Sequence, residues 1–395
     1  MICCALSESG IRTQTDDDGR VPYDVAVVGL GAMGSAALAE CARRGASAIG
    51  LEQFARGHDR GSSTGRSRMI RKAYFEDPAY VPLLLRAYDK WRELEEVTGR
   101  DLLQITGLLM VGHTNAEVIT GATRAARQHQ LPLETLDRAD IRKRYPMLRV
   151  RPDEVGVYEA DGGVLQPERA VAAQLDRASA LGAEMRFEAA LQDWEIAGAD
   201  FVLRLADGSA IRTRTVILSL GPWFKKMLED LGVPLRVQRN VQAWFTPATS
   251  EYAAGRFPAF LLDRAGLPAP LYGFPDFGEG VKAAFHSHGA ESEPDEIVRE
   301  VDSARDIEPI VREMEQWMPG ATVKFRAAKT CPYSLTPDRH FIVDQHPEHP
   351  RLILCGGFSG HGFKFAPVIG KIVADLALSG ETKHDIGFLS LRRFG

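Results

Sequence analysis

The sequence predicts an α/β protein in which a dinucleotide-binding βαβ domain is interleaved with a second, α+β domain. Three observations carry this. A short apolar strand, Tyr23 to Val28, runs directly into Gly29-Leu30-Gly31-Ala32-Met33-Gly34 and then into a helix from about Met33 to Arg44. A similar succession closes the chain: Leu352 to Cys355, a glycine loop, and a helix from Pro367 to Leu378 before Gly380. Between them, Pro234 to Lys329 is rich in aromatic, Gly and Pro residues and reads as mixed α+β.

The first strand is β-branched and apolar, as a strand covered on both faces of a parallel sheet must be. Its glycines fit G-x-G-x-x-G: one for the tight turn, one for close approach of a pyrophosphate, one for packing helix on strand. The helix start offers free N–H groups and a partial positive charge to phosphates. Gly45 ends the helix, and strand Ala48 to Glu52 places Glu52 where a carboxylate can accept ribose hydroxyls. This context predicts a bound dinucleotide; the motif alone does not separate FAD from NAD.

Further along, Val81, Leu84, Leu85, Tyr88, Trp91 and Leu94 fall at helical spacing over Tyr80 to Glu96. A helix from Glu168 to Leu181 precedes strands at Glu184 to Phe187 and Leu191 to Ile196. Asp207-Gly208 marks a hairpin between Phe201–Leu205 and Ala210–Leu220. The nucleotide-binding signals thus sit at both ends and near Val216, so each domain is built from separate stretches.

The chain has 395 residues, room for roughly two or three domains. Apolar residues make up 45% and charged ones 26%, which excludes global disorder. Lys plus Arg is 48 against 53 Asp plus Glu, so a strongly basic nucleic-acid binder is excluded. Five cysteines, Cys3, Cys4, Cys41, Cys331 and Cys355, make no disulfide framework and point to a reducing, cytoplasmic setting. No run approaches ~18 apolar residues, so no membrane span is expected. Residues 1–21 read as a flexible leader, with Ile2 to Leu6 too short for a secretory core.

Four segments carry a resemblance. They are Arg60-Gly-Ser-Ser-Thr-Gly-Arg-Ser-Arg68 with Arg71 and Tyr74, Leu271-Tyr-Gly-Phe-Pro275, Ala328-Lys-Thr-Cys331-Pro-Tyr-Ser-Leu-Thr-Pro-Asp338, and Gly356-Gly-Phe-Ser-Gly-His361-Gly-Phe-Lys364-Phe365. Together they resemble the family of monomeric sarcosine oxidase, N-methyltryptophan oxidase and pipecolate oxidase, from about Tyr23 to the C-terminus. The resemblance implies an FAD-binding domain over 22–95, 160–232 and 335–395. It implies a substrate domain over 96–159 and 233–334, built on a mixed, mainly antiparallel sheet. It also implies oxidation of a secondary amino acid to an imine that hydrolyses, with O2 reduced to H2O2, by a monomer. A dehydrogenase of the same fold with another electron acceptor, or an oxidase for a glycated or biosynthetic amino acid, stays open beside it.

The resemblance also assigns residues. Cys331 matches the cysteine that carries FAD covalently; read alone, it is equally an ordinary small residue beside Pro332. Arg71 and Lys364 match the pair that holds the substrate carboxylate, a planar fork and a point charge. Glu76 matches the residue that orients the arginine, although an ion pair of Arg71 with Glu76 or Asp77 needs no function. Lys282 matches the lysine near the flavin, where a fixed cation stabilises superoxide; on an alternating strand it could equally face outward. Arg68 matches an arginine beside the flavin ring. Tyr272, His286 and Tyr333 match the cavity lining. Ser63, Thr64, Gly357, Gly360, His361, Gly362 and Lys364 are expected on the cofactor with Gly29, Gly31, Ala32, Met33, Gly34 and Glu52. Thr64 departs from the histidine many members carry, and a hydroxyl cannot supply the imidazole's charge. His286 and His288 lack accompanying ligands, so no metal is expected.

Overall fold

The computed structural model describes residues 21–395. The leader expected over residues 1–21 lies outside the described residues but for Val21, which is exposed.

The chain opens with β1 (Tyr23–Val28), α1 (Ala32–Arg43), β2 (Ala48–Leu51) and β3 (Arg68–Ile70). Next come α2 (Val81–Thr98), β4 (Leu103–Ile105), β5 (Leu108–His113), α3 (Glu117–His129), β6 (Glu134–Leu136) and α4 (Arg138–Arg144). Then follow β7 (Glu154–Glu159), β8 (Gly163–Leu165), α5 (Pro167–Ala180), β9 (Glu184–Arg186), β10 (Leu191–Ala197), β11 (Asp200–Leu205) and β12 (Ala210–Leu218). The remainder comprises α6 (Lys225–Asp230), β13 (Arg236–Thr246), β14 (Ala259–Asp263), β15 (Leu271–Phe274), β16 (Val281–Phe285) and β17 (Ala290–Glu291). It ends with α7 (Glu308–Trp317), β18 (Lys324–Leu335), β19 (Ile342–Gln345), β20 (Leu352–Gly356) and α8 (Ala366–Ser379).

Local chemistry sets several boundaries. α2, α5, α7 and α8 each carry a proline in the first turn, where its missing N–H costs nothing. Gly99 and Gly380, both left-handed, end α2 and α8. β12 stops at Leu218 rather than at the expected Leu220. The Ser219 N–H turns back to the Val28 carbonyl at 2.8 Å, and the chain leaves the sheet against the glycine turn.

β9, β2, β1, β12 and β20 lie side by side and parallel, with β19 antiparallel beside β20 and the β10–β11 hairpin leading into β12. Strand alternation splits β1 between two cores. Val25 and Val27 pack with α1, α2, α5 and α8, whereas Ala26 and Val28 pack with Phe201, Leu203 and Phe224. The second sheet runs β17-β13-β16-β15-β14-β5-β7-β6, with β18 along β13 for most of its length. Only its β5–β14 pair is parallel among the described residues, so the sheet is mixed and mainly antiparallel, as expected. One face packs on Ile310, Met314 and Trp317 of α7; the other packs on α3 around Met110, Leu261 and Phe274. A small sheet, β3-β8-β4, was not foreseen. Its β3 strand begins at Arg68, paired with Leu165 of β8. No helix of the described residues is long and apolar enough to cross a membrane.

Candidate active site

The turn after β1 is shaped by steric necessity. Gly29 has φ +88°, and a Cβ on it would overlap the Ser219 carbonyl; a Cβ on Gly34 would overlap the Gly29 carbonyl. Gly31 caps α1 without a side-chain hydrogen bond, and no acidic residue stands in the first turn. The positive end of α1 therefore has no carboxylate of its own to neutralise it. Ser63 Oγ accepts from the Ala32 N–H at 3.0 Å. Glu52 is buried at the end of β2 and accepts from the Leu30 N–H at 2.8 Å and the Phe54 N–H at 3.1 Å. Burial alone would raise its pKa, but His58 and these two amides outweigh that and keep it ionised.

From this turn a cleft of about 390 Å³ runs past Ser63, Thr64 and Arg68 to Cys331, Tyr333 and the loop Gly357–Gly362. Thr64 Oγ1 lies buried on it without a hydrogen-bond partner, an omission that costs roughly 1–3 kcal/mol unless a ligand supplies one. A glycine cradle, an open helix N-terminus, an ionised carboxylate at one end and this orphaned hydroxyl together fit an extended dinucleotide.

The segment at 62–68 is tied down on every side. Arg68 donates to the carbonyls of Ser62 at 2.9 Å and Ser67 at 2.8 Å, and to that of Thr64. Its Nη2 also lies 3.4 Å from Cys331 Sγ. Glu168, at the start of α5, accepts from the Gly65 N–H at 2.7 Å and the Arg66 N–H at 3.1 Å, holding Arg66 at φ +63°. Lys282 on β16 is 2% exposed and donates to the carbonyls of Gly65 at 2.6 Å and Ser67 at 2.9 Å. It lies inside rather than outward, boxed by Trp244 and Phe274 with its nitrogen 5.2 and 5.0 Å from their ring centroids. Burial, and Arg68 after it, depress its pKa well below the usual lysine range. Lys282 lines neither cavity; it acts on the cleft through the loop it holds.

A second cavity, about 60 Å³, opens off the first and shares Arg68, Tyr333, Gly360 and Phe363 with it. One end is cationic. Arg71, 3% exposed, forms a forked ion pair with Glu76, one leg at 2.6 Å, while its Nε has no partner. Lys364 Nζ donates to the His361 carbonyl at 2.6 Å. Burial would raise the Glu76 pKa, but Arg71, His361 and Lys364 pull it down to about 2. Burial, reinforced by Arg71, pushes Lys364 well below its usual range. The other end is aromatic. The Tyr272 and Tyr333 hydroxyls stand 3.5 Å apart, and the His286 ring lies against both rings. Burial lowers His286 to about 4 and His361 to about 3, so both imidazoles are neutral at pH 7.

Thus Arg68, Arg71, Glu76, Tyr272, His286, Tyr333 and Lys364 converge on one cavity, although they come from four distant stretches. Gly29, Gly31, Ala32, Met33, Glu52, Ser63, Thr64, Cys331, Gly357, Gly360 and Gly362 line the long cleft. Three expected cofactor contacts sit elsewhere. His361 and Lys364 line the small cavity instead of the cleft, and Gly34 is spent on backbone packing. Glu168 and Gln242, whose buried Oε1 has no partner, were missed. Glu168 announced itself only as a helix-start acid, and Gln242 as one polar residue in a strand. Among the described residues, no group of three or more His, Cys, Asp or Glu is placed to hold a metal ion.

A glycine-turn cleft that feeds a small pocket with a cationic end defines a dinucleotide-dependent redox enzyme. The family model of FAD dependent oxidoreductases matches residues 24–376, and the chain belongs to that family. The chain is 42% identical over 377 residues to a monomeric sarcosine oxidase of Streptomyces avermitilis, covering 94% of this chain and 97% of the relative. It is 32% identical over 386 residues to an N-methyl-L-tryptophan oxidase of Yersinia pestis, covering 94% and 99%. Among solved structures it is similar to NikD, an unusual amino acid oxidase essential for nikkomycin biosynthesis. The match has a TM-score of 0.83 at 26% identity and covers 93% and 97% of the two chains. The fold is shared by an L-proline dehydrogenase from P. horikoshii, with a TM-score of 0.82 at 20% identity over 94% and 98%.

Proposed function

We propose that the chain oxidises a small secondary amino acid, N-methyl or cyclic, to an imine that hydrolyses, with O2 reduced to H2O2. The observation that carries this reading is the cavity with Arg71 and Lys364 at one end and neutral His286 with two tyrosines at the other. Bound FAD supplies the acceptor for the two electrons leaving the carbon–nitrogen bond. Arg71 Nε and Lys364 Nζ anchor the carboxylate, and Glu76 fixes the guanidinium's plane. Arg68, Arg71 and Lys364 together disfavour a protonated amine, and the amine must be neutral to react. His286, uncharged, can accept a hydrogen bond from that amine. Lys282 donates to the carbonyls of the 62–68 loop and, in its ammonium form, places positive charge behind it, which favours anionic oxygen species.

At roughly 10–15 Å³ per water-sized position, about 60 Å³ admits four to six non-hydrogen atoms. That suits a substrate the size of N-methylglycine, which has six non-hydrogen atoms, better than one bearing an indole. Cys331 Sγ lies on the cleft with Arg68 3.4 Å away, which supports it as the point of covalent FAD attachment. The two large sheets support a division into a discontinuous FAD domain over 22–95, 160–232 and 335–395 and a substrate domain over 96–159 and 233–334. A monomer working in the cytoplasm completes the reading.

The test is a peroxide-coupled screen of secondary amino acids with the purified yellow protein. Small N-methyl or cyclic amino acids should turn over fastest and primary or bulky ones poorly. Turnover of an electron-accepting dye without peroxide would replace the oxidase by a dehydrogenase. No turnover of any carboxylate-bearing amine would sink the reading.

A further inference from the structure

Tyr74 lines neither cavity and is fully buried, yet it touches both carboxylate-facing cations. The Arg71 guanidinium lies 4.5 Å and Lys364 Nζ 5.1 Å from its ring centroid. Tyr80 and Phe365 hold the ring edge-on at 5.3 and 5.4 Å. The hydroxyl lies 2.6 Å from His361 Nδ1. His361 Nε2 stands 3.1 Å from the Arg339 carbonyl, which can only accept, so Nε2 carries the proton and Nδ1 the lone pair. Tyr74 must therefore donate to His361. That direction turns the hydroxyl's lone pairs toward Lys364 Nζ at 3.5 Å.

In its ammonium form, which Glu76 and a bound carboxylate favour, Lys364 has three protons. One goes to the His361 carbonyl, and a second has the Tyr74 oxygen as its acceptor. The Lys364 backbone is itself pinned by the Trp91 indole N–H at 2.8 Å from its carbonyl. A single proton is thus left for a ligand, and its direction follows from the other two.

We propose that Tyr74 is a positioning residue of the carboxylate site. Its ring is the shared shelf of Arg71 and Lys364, and its hydroxyl, seated on His361, aims the free Lys364 proton into the substrate cavity. This rests on Arg71 and Lys364 being the carboxylate anchors. A core tyrosine kept only for packing would lose little on becoming phenylalanine. Here Tyr74→Phe keeps the shelf and loses the aim, and Tyr74→Leu loses both.

The experiment titrates holoenzyme with propionate and, separately, with N-methylethylamine, which has no carboxylate, by calorimetry. Tyr74→Phe should weaken propionate about three- to tenfold and Tyr74→Leu by about ten- to a hundredfold. N-methylethylamine should bind all three proteins within about twofold, and the KM of the amino-acid substrate should rise more than kcat falls. If both variants lose thermal stability but bind propionate like the parent, Tyr74 is packing alone and the proposal is overturned. Should Tyr74→Leu not fold, Tyr74→Phe decides by the same criterion. If Arg71→Met and Lys364→Met leave propionate binding unchanged in the parent background, the anchors are misassigned. That separate failure takes the proposal with it.

Discussion

Glu76→Gln exposes the electrostatic logic of the pocket most directly. The Glu76 carboxyl drops from an ordinary 4.5 to about 2, with Arg71 as the main stabilising partner. At about 1.4 kcal/mol per pH unit, that corresponds to about 3 kcal/mol of folding free energy. The value agrees with the roughly 3–5 kcal/mol expected when one member of a buried ion pair is removed. Because the folded pKa is the lower one, this stabilisation is complete above pH ~4.5 and is lost as pH falls toward about 2. Glu76→Gln should therefore lower Tm at pH 7 by roughly 4 °C, if the chain unfolds as one unit. Its stability should also decline less than the parent's as pH falls below ~4.5. A second consequence follows from the uncompensated guanidinium. A carboxylate ligand then takes over the direct neutralisation of Arg71, so saturating propionate should raise the variant's Tm by more than the parent's. Differential scanning fluorimetry of holoenzyme, across pH and with and without propionate, reads both. Equal Tm at pH 7 would refute the stabilising role of the Glu76–Arg71 pair, and an equal propionate shift would refute the claim that Glu76 and the substrate carboxylate both neutralise Arg71.

Cys331→Ala should give a protein whose yellow colour passes into the supernatant on acid precipitation; colour that stays with the pellet would place the covalent bond elsewhere. Lys282→Met should slow reoxidation of the reduced protein by air-saturated buffer by about 10²–10³-fold while leaving anaerobic reduction by substrate within about tenfold. A stopped-flow trace unchanged in both phases would remove Lys282 from the chemistry. Gly34→Val drives a side chain into the Gly29 carbonyl. The visible flavin absorbance per mole of protein should fall to near zero, and normal loading would mean that the turn does not form as described.

The elements that sequence reasoning located best are those whose causes are local. α1 spans Ala32–Arg43 against an expected Met33 to Arg44, because a strand, a glycine turn and a C-terminal glycine are all written within about 25 residues. α5 and α8 lie within a residue of expectation for the same reason, each bounded by proline and glycine. Lys282 was legible as one charge in an apolar strand, but its inward direction was not, since alternation permits either face. Glu168 and Tyr74 escaped because their roles exist only across the fold. Glu168 meets Gly65 a hundred residues away, and Tyr74 meets His361 from the other end of the chain. Thr64 shows the converse: its departure was plain in sequence, and the structure gives it meaning as a buried hydroxyl still awaiting a partner.

The pairing of β20 with β12, and of α8 against α1, has a consequence for biosynthesis. Residues 32–43 are made more than three hundred residues ahead of residues 366–379, on which they pack. While the ribosome is still translating, the glycine turn has one wall missing, and the apolar side of α1 waits for more than three hundred residues to be added. Loading of FAD should therefore follow the synthesis of β20 and α8, with the earlier-made α1 a client for a holding chaperone until then. A chain that stops short of Leu352 would keep every residue of the glycine fingerprint and still emerge colourless.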